Sequence, residues 1–385
     1  MTETFLEQLP AWQTGWLDLD QVKDTNYLTH GLHPYPAKFI PQIPASLMDR
    51  FLGRASVIAD PFCGSGTVAV EASLRGHTAY VSDSNPIAVL ITRAKTTRLD
   101  EASRKSLAAL RQELSSRPRA GSHPSFKNID HWFTETMTSE LAAIKETIYR
   151  VCDNEIAKTL ASAIFSAIVV KCSRQESDTR WVAVDKQTPA GFAFTLYDKK
   201  LTSALAAAED FTQRARGHVN AERADARDLR NVADGIVDLV ITSPPYLNSY
   251  DYYLYHKLRM FWLGFDHYEV QRTEIGSRNK HCDEAAPVAD YTDAMTKCLS
   301  EAARILAPSA VAAIIIGDSI VGGQKLDMDT VFIDIALRCG LSLFDRFSYC
   351  QRKYTRAFSA NYRRESKQTH ILLFQRPCSK TASIQ

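Results

Sequence analysis

Short, nearly continuous apolar runs alternate along the chain with stretches whose apolar residues recur at helical spacing. The runs at 57–60, 78–82, 236–241 and 310–316 have the length and composition of strands buried on both faces. Strands of this kind, alternating with helices, are typical of an α/β fold built on a parallel sheet. We therefore predict an α/β architecture. Its ligands should bind at the carboxyl edge of the sheet, as they do in open sheets of this type.

A rigid turn follows the strand predicted at 236–241. It reads Thr242, Ser243, Pro244, Pro245 and Tyr246. Two consecutive prolines cannot donate hydrogen bonds to a sheet ladder and have fixed φ, so the strand must end here. A serine oxygen and an aromatic face are then held still at the sheet edge. This pairing suits a flat ring with an amino group, such as a nucleobase. The alternative is a proline-rich loop in which Tyr246 only packs against its neighbours.

A glycine turn follows the first predicted strand, where residues 60–67 read Asp-Pro-Phe-Cys-Gly-Ser-Gly-Thr. The order strand, glycine turn, helix lets the backbone approach a nucleotide-like ligand at a helix N-terminus. Residues 64–69 also satisfy the loose G-x-G-x-x-A pattern of dinucleotide enzymes. A carboxylate at Asp60 suits a ligand with an ammonium group and would repel a pyrophosphate. Asp83 ends the second strand and can accept hydrogen bonds from two ribose hydroxyls. These features favour S-adenosylmethionine over a nicotinamide dinucleotide.

Composition narrows the class of protein. The 385 residues are 45% hydrophobic and 23% charged, which suits one large domain with an insertion, or two domains. No apolar run reaches the length of a membrane span, and the N-terminus does not resemble a signal peptide. We expect a cytoplasmic protein with no membrane partner. The eight cysteines form no C-x-x-C pair, and His30 and His33 are too few to ligate a metal, so we expect no metal site.

Positive charge is concentrated locally, although the net charge is only +2. Residues 349–364 mix cations with aromatic rings, the composition expected for contacting phosphates and stacking on bases. The cations of this segment are Arg352, Lys353, Arg356, Arg363 and Arg364. A solvated surface is the alternative for a single run of this kind.

Residues 101–217 separate the second predicted strand and its helix from the next strand. Apolar residues at helical spacing predict helices over 133–151 and 155–171, so this region is a helical insertion. It leaves the sheet at the amino edge but is long enough to wrap around it. Two functions remain open, a target-recognition element and a packing or dimer element.

The two motifs in this order resemble those of the amino-group DNA methyltransferases, which make N4-methylcytosine or N6-methyladenine. Residues 60–67 are similar to the first cofactor motif of that family, and residues 243–246 to its catalytic motif. Residues 33–39 resemble the segment that closes over the methionine end of the cofactor. The resemblance covers 30–98 and 218–376 and implies S-adenosylmethionine as cofactor. The residues it implies as binding the cofactor are Tyr35, Lys38, Asp60, Phe62, Gly64, Gly66, Thr67, Asp83 and Asp225.

The resembled fold is the class I, Rossmann-like methyltransferase fold, a seven-stranded and mostly parallel sheet. It implies a fifth strand at 310–316, a sixth at 341–345 and an antiparallel seventh at 369–374. A parallel sixth strand ends at the carboxyl edge, which places the basic segment beside the proline turn, where we predict that it clamps DNA. The implied organisation is an N-terminal arm at 1–29, a catalytic domain at 30–100 and 218–377, the insertion at 101–217 and a tail at 378–385.

The resemblance also implies a mechanism. Ser243 and the Pro244 carbonyl would accept hydrogen bonds from an exocyclic amine, and Tyr246 would stack on a flipped base, with Pro245 completing the catalytic turn. Serine at this position resembles the N4-cytosine group and favours N4 of cytosine. An N6-adenine DNA methyltransferase stays open as an alternative, because some enzymes with this serine modify adenine. The unpermuted motif order keeps open a second alternative, an RNA guanine-N2 enzyme. The implied partners are DNA and a companion restriction or defence nuclease, with the monomer or homodimer state open.

Overall fold

The computed structural model describes residues 22, 24–53, 55–118, 120–248, 250–277, 286–321, 324–350 and 367–378. Seven of its strands form one sheet, and two short hairpins lie outside it. In chain order the strands are β1 Val57–Asp60, β2 Thr78–Asp83, β3 Gln175–Ser177, β4 Arg180–Ala183, β5 His218–Arg223, β6 Val237–Thr242, β7 Leu306–Gly317, β8 Ser319–Val321, β9 Gln324–Leu326, β10 Ser342–Cys350 and β11 Gln368–Gln375. The hairpins pair β3 with β4 and β8 with β9.

The central sheet has the order β10-β11-β7-β6-β1-β2-β5, and β11 runs antiparallel to both of its neighbours. The other neighbouring pairs are parallel. This order, with one reversed strand next to the edge, is that of the class I methyltransferase sheet, so the predicted fold class is confirmed. Because β1, β2 and β6 are adjacent and parallel, their carboxyl ends meet at one edge of the sheet. The motifs that follow β1 and β6 are therefore neighbours in space.

Helices cover both faces of the sheet and build the insertion. A short 3₁₀ helix spans Leu28–Gly31. The α-helices are α1 Gln42–Phe51, α2 Thr67–Leu74, α3 Pro86–Lys95, α4 Glu101–Ser115, α5 Ile129–Trp132, α6 Glu135–Val151, α7 Glu155–Cys172, α8 Phe192–Arg214, α9 Tyr252–Leu263, α10 His267–Thr273, α11 Ala286–Ile305 and α12 Met328–Arg338. Within the described residues, no helix is long and apolar enough to cross a membrane.

The helices predicted over 133–151 and 155–171 are present as α6 and α7. Thr134 and Asn154 cap their N-termini by accepting hydrogen bonds from backbone N–H groups in the first turn. Helix α7 is apolar on almost every side, because it is the central helix of the insertion and is surrounded by its neighbours.

The insertion shares one hydrophobic core with the helix that follows the proline turn. Leu258 and Trp262 of α9 are fully buried in the same cluster as Leu160 and Ile164 of α7. Arg259, also fully buried, donates through Nε to the Ser166 carbonyl oxygen at 3.0 Å and pairs with Asp178. The insertion therefore wraps from the amino edge of the sheet to a helix that begins at the carboxyl edge.

Candidate active site

A cleft with an empty volume of about 870 Å³ opens at the carboxyl edge of the sheet. It is lined by the segments that follow β1, β2, β5 and β6, together with residues 35–39 and 270–275. The sequence-predicted residues that line it are Tyr35, Lys38, Phe62, Gly64, Thr67, Asp83, Asp225, Ser243 and Pro245. The structure thus brings the glycine turn and the proline turn to one cavity, although 175 or more positions separate them along the chain.

The glycine turn takes backbone conformations that side chains would obstruct. Gly64 has φ +46°, and a Cβ there would lie 3.2 Å from Cε1 of Tyr35. Gly66 has φ +75°, and a Cβ there would lie 2.9 Å from Cα of Thr92. Gly66 is the N-cap residue of α2 and packs against Thr92 of α3, so it contributes to the shape of the turn and not to the wall of the cleft. Both glycines let the backbone pass close to another segment.

Asp83, the last residue of β2, and Asn85 line the cleft next to the glycine turn. The Asp83 carboxylate accepts hydrogen bonds from the Gly64 and Asn85 N–H groups at 3.0 and 2.9 Å. Burial raises its pKa to about 6. Asn85 caps α3 by accepting from Ile87 N–H, which leaves its Nδ2 buried and without a partner among the described residues. Ser65 Oγ is also buried and unpartnered there. These polar groups, all in the wall of the cleft, are available to a polar ligand.

Asp60 occupies a different position from the one predicted for it. The side chain is 1% exposed and is absent from the wall of the cleft. Its Oδ1 accepts from Thr242 Oγ1 at 2.7 Å and from Phe62 N–H at 3.1 Å. Burial raises its pKa to about 7. The carboxyl group therefore links the ends of β1 and β6, because these strands are neighbours in the sheet.

Ser243 and Pro245 of the proline turn line the cleft, whereas Pro244 and Tyr246 are not among its lining residues. Ser243 and Tyr246 share a side-chain hydrogen bond. Tyr291 donates through Oη to the Pro245 carbonyl oxygen at 2.9 Å. In the described part of the chain, no donor contacts the Pro244 carbonyl oxygen. The Pro245 carbonyl oxygen therefore already accepts a hydrogen bond, whereas the Pro244 carbonyl oxygen can accept one from a ligand.

Tyr252 and Glu274 belong to the cleft but were not among the predicted site residues. The Tyr252 ring stacks on Tyr35 with centroids 6.0 Å apart and an interplanar angle of 26°. The Glu274 carboxylate accepts from the N–H groups of Tyr252 at 2.6 Å and Tyr253 at 3.3 Å, at the start of α9. The dense tyrosines at 250–255 are a sequence signal for the first residue. Glu274 has no such signal, because it contacts α9 only through the fold.

Two predicted cofactor residues already have partners inside the protein. Lys38 Nζ donates to the His30 carbonyl oxygen at 3.3 Å. The Asp225 carboxylate is held by Arg227 through side-chain contacts of 2.8 and 2.5 Å. Both still line the cleft. The predicted DNA-contacting cations Arg352, Lys353, Arg356, Arg363 and Arg364 lie outside the described residues. No cluster of three or more potential metal ligands occurs in the described part of the chain.

The fold and the cleft define a methyltransferase domain, and a family comparison agrees. Residues 52–253 match the family described as UPF0020: RMKL-like, methyltransferase domain. The chain belongs to this family. The methyltransferase fold and S-adenosylmethionine as its cofactor are the parts of the sequence prediction that this membership confirms. The roles of individual residues remain predictions.

Relatives with assigned names are Type II methyltransferases. The chain is 29% identical over 260 residues to M.MvaI of Kocuria varians, which covers 59% of this chain and 55% of that one. It is 23% identical over 310 residues to M.BsoBI of Geobacillus stearothermophilus, covering 70% and 58%. The chain thus spans little more than half the length of these relatives. Among solved structures it resembles a putative DNA modification methylase of Thermus thermophilus complexed with S-adenosyl-L-methionine, with a TM-score of 0.27, 18% identity and coverage of 42% and 57%.

Proposed function

We propose that this chain is a DNA methyltransferase that methylates an exocyclic amino group of a flipped base, N4 of cytosine. The observation that carries the proposal is the meeting of the glycine turn and the Ser243 turn in one cleft. A methyl donor and an amine must occupy adjoining positions, and this cleft offers a polar wall on one side and an amine acceptor on the other. The Type II methyltransferase relatives support the coarser part of this proposal, a DNA methyltransferase, and carry no information on the base.

The polar wall of the cleft fits S-adenosylmethionine. Asp83 offers carboxylate oxygens to ribose hydroxyls, while Asn85 Nδ2 and Ser65 Oγ are buried groups that need a hydrogen-bond partner. Gly64 has no side chain to obstruct the cleft beside Tyr35, and the stacked rings of Tyr35 and Tyr252 form an apolar wall of the cleft. When bound, S-adenosylmethionine supplies a methyl group on a positively charged sulfur.

Ser243 and Pro244 act on the amine. An exocyclic amine has its lone pair delocalised into the ring, so acceptors for its N–H groups are needed to restore nucleophilic character at nitrogen. A hydroxyl has one proton and two lone pairs, so the hydrogen bond with Tyr246 leaves Ser243 Oγ at least one lone pair for an N–H group. The unpartnered Pro244 carbonyl is the second acceptor. Holding the amine in this way contributes mainly through orientation.

The end of β10 supports DNA as the substrate. Strand β10 runs parallel to β6, with β11 and β7 between them, so β10 ends at the same edge of the sheet as the proline turn. The basic segment 351–364 follows directly. Alanine at Arg352, Arg356 and Arg363 is expected to weaken DNA binding and to lower the slope of log affinity against log salt by roughly 0.9 per lost phosphate contact. Unchanged affinity and slope would exclude this segment from the DNA interface.

The substrate can be identified directly. The protein is incubated with labelled S-adenosylmethionine and, separately, duplex DNA, single-stranded DNA and tRNA, and the methylated nucleoside is identified by mass spectrometry. We expect N4-methylcytosine from DNA. N6-methyladenine would keep the enzyme class and correct the base, whereas label on RNA alone would refute the proposal.

Ser243→Ala tests the role of the turn. Loss of one positioned hydrogen-bonding group is expected to lower turnover by about 100-fold or more. Cofactor affinity, measured by calorimetry, should change little, because the glycine turn is untouched. Ser115→Ala, at an exposed serine on α4, is the matched control and should behave as wild type. Equal turnover in both variants would remove Ser243 from the mechanism.

A further inference from the structure

A second pocket lies where the insertion meets α9 and α10. It has an empty volume of about 620 Å³, and its walls include Trp132 of α5, Trp181 of β4 and Phe261 of α9. The two indoles contact each other, with ring centroids 4.2 Å apart. Trp181 and Phe261 are partly exposed. Aromatic rings that are partly exposed can stack on a further flat ring.

The pocket is also positively charged. Lys257 Nζ lies 5.9 Å from the ring centroid of Trp181 and 5.8 Å from that of Phe261. Lys127 and His131 line the same pocket and are exposed. None of the residues found to line it is acidic. Cations in the wall disfavour a cationic ligand such as a methylated lysine, whereas aromatic rings beside cations match a base with its phosphate.

The pocket and the catalytic cleft share two helices. On α9, Tyr252 lines the cleft, whereas Lys257 and Phe261 line the pocket. The rise of 1.5 Å per residue separates these positions by about 8–14 Å along the helix. On α10, Thr273 lines the cleft and His267 the pocket. A stacked strand advances about 3.4 Å per nucleotide, so this separation along α9 corresponds to about two to four nucleotides.

The insertion holds its side of the pocket in place through Arg174. The Arg174 N–H group donates to the Trp132 carbonyl oxygen at 2.7 Å. Its Nη1 donates to the carbonyl oxygens of Asp130 at 3.0 Å and His131 at 3.3 Å. Arg174 immediately precedes β3, whose partner strand β4 carries Trp181. One residue therefore links both tryptophan-bearing segments.

We propose that this pocket binds a nucleotide flanking the target base, with the base stacked on the aromatic rings and the phosphate near Lys127 and Lys257. The proposal rests on the proposed DNA methyltransferase function. It assigns the insertion a direct part in substrate binding, and it extends the substrate contact surface from the cleft along α9 and α10.

The test compares Trp181→Ala and Lys257→Met with variants of a matched cation–aromatic pair on the insertion, away from the pocket. That pair is Lys145 and Tyr149 on α6, where Nζ lies 6.0 Å from the ring centroid and the tyrosine is 50% exposed. Affinity for duplex and single-stranded oligonucleotides is measured by fluorescence anisotropy at several salt concentrations. Cofactor affinity is measured by calorimetry in parallel.

We expect Trp181→Ala to weaken oligonucleotide binding by about 5-fold or more. Lys257→Met should lower the salt slope by about 1. Tyr149→Ala, Lys145→Met and the cofactor affinity of every variant should match wild type. Trp181→Phe should restore most of the binding, because it keeps a ring.

Three results would overturn the proposal. If wild type methylates DNA and both pocket variants bind it equally well, the pocket inference fails and the proposed function stands. If wild type neither binds nor methylates any nucleic acid, both fail. If Trp181→Ala loses cofactor affinity in proportion to oligonucleotide affinity, the residue supports the fold and is not part of a nucleotide site.

Discussion

Asp60→Asn isolates the electrostatic effect of a carboxyl group buried between β1 and β6. Both hydrogen bonds to Asp60, from Thr242 Oγ1 and Phe62 N–H, end on Oδ1. An asparagine keeps an oxygen in that place and puts its amide nitrogen where Oδ2 was, a position that no donor contacts among the described residues. The substitution therefore removes the charge and keeps both contacts.

The pH dependence follows from the raised pKa. Burial raises the pKa of Asp60 from its ordinary value of 3.8 to about 7 in the folded protein. Between these values the unfolded chain has lost the proton and the folded chain keeps it, so stability falls as pH rises. Linkage over this interval gives a loss of about 3 kcal/mol between pH 5 and pH 8. The asparagine of the variant does not titrate, so the variant should lack this loss.

The assay is urea denaturation of wild type and Asp60→Asn at pH 5, 6, 7 and 8. Any difference between the two side chains that does not depend on pH cancels when the difference in unfolding free energy is compared across the series. We expect the variant to gain on wild type by about 3 kcal/mol from pH 5 to pH 8. A difference that stays constant across this range would refute the burial of a carboxyl group with a raised pKa at this position.

Three further substitutions test the site and its support. Asp83→Asn leaves one side-chain oxygen for the two N–H groups that the carboxylate now binds, so it should lower the free energy of unfolding by about 1–3 kcal/mol. It should also weaken cofactor binding in calorimetry, and wild-type cofactor affinity would contradict this. Gly66→Ala places a methyl group against the Thr92 backbone at positive φ, so a clear fall in melting temperature is expected, and an unchanged value would exclude the close approach. Asp178→Ala leaves the fully buried Arg259 without its counter-charge and should lower the free energy of unfolding, measured by urea denaturation, by about 3–5 kcal/mol. A loss below about 1 kcal/mol would contradict this.

Local sequence was sufficient for the elements that form the cleft. Apolar runs located β1, β2 and β6, because strands buried on both faces need continuous apolar residues. The prolines at 244 and 245 ended β6, and the glycines at 64 and 66 allowed the turn between β1 and α2. These features can be predicted from the sequence because each depends on the conformational limits of one residue or of a short run of residues.

In the insertion, local sequence patterns predicted the helices but not how they pack. Helical spacing predicted α6 and α7, but it gave no information on what their apolar faces would cover. The structure packs α7 against α9 and buries Arg259 between them, next to Asp178. Contacts of this kind join segments about 80 to 90 residues apart in the chain, so no local sequence pattern predicts them.

By itself the sequence determined the α/β class, the two turns and the order in which they occur, because these depend on backbone limits and on short-range apolar patterns. Only the tertiary structure decided how individual side chains are used. Asp60 accepts a hydrogen bond from Thr242, 182 positions away along the chain, and Glu274 accepts one from the first residue of α9. The physical reason is that a polar side chain leaving water takes the hydrogen-bond partner that the packed fold places nearest. That partner depends on strand order and helix packing.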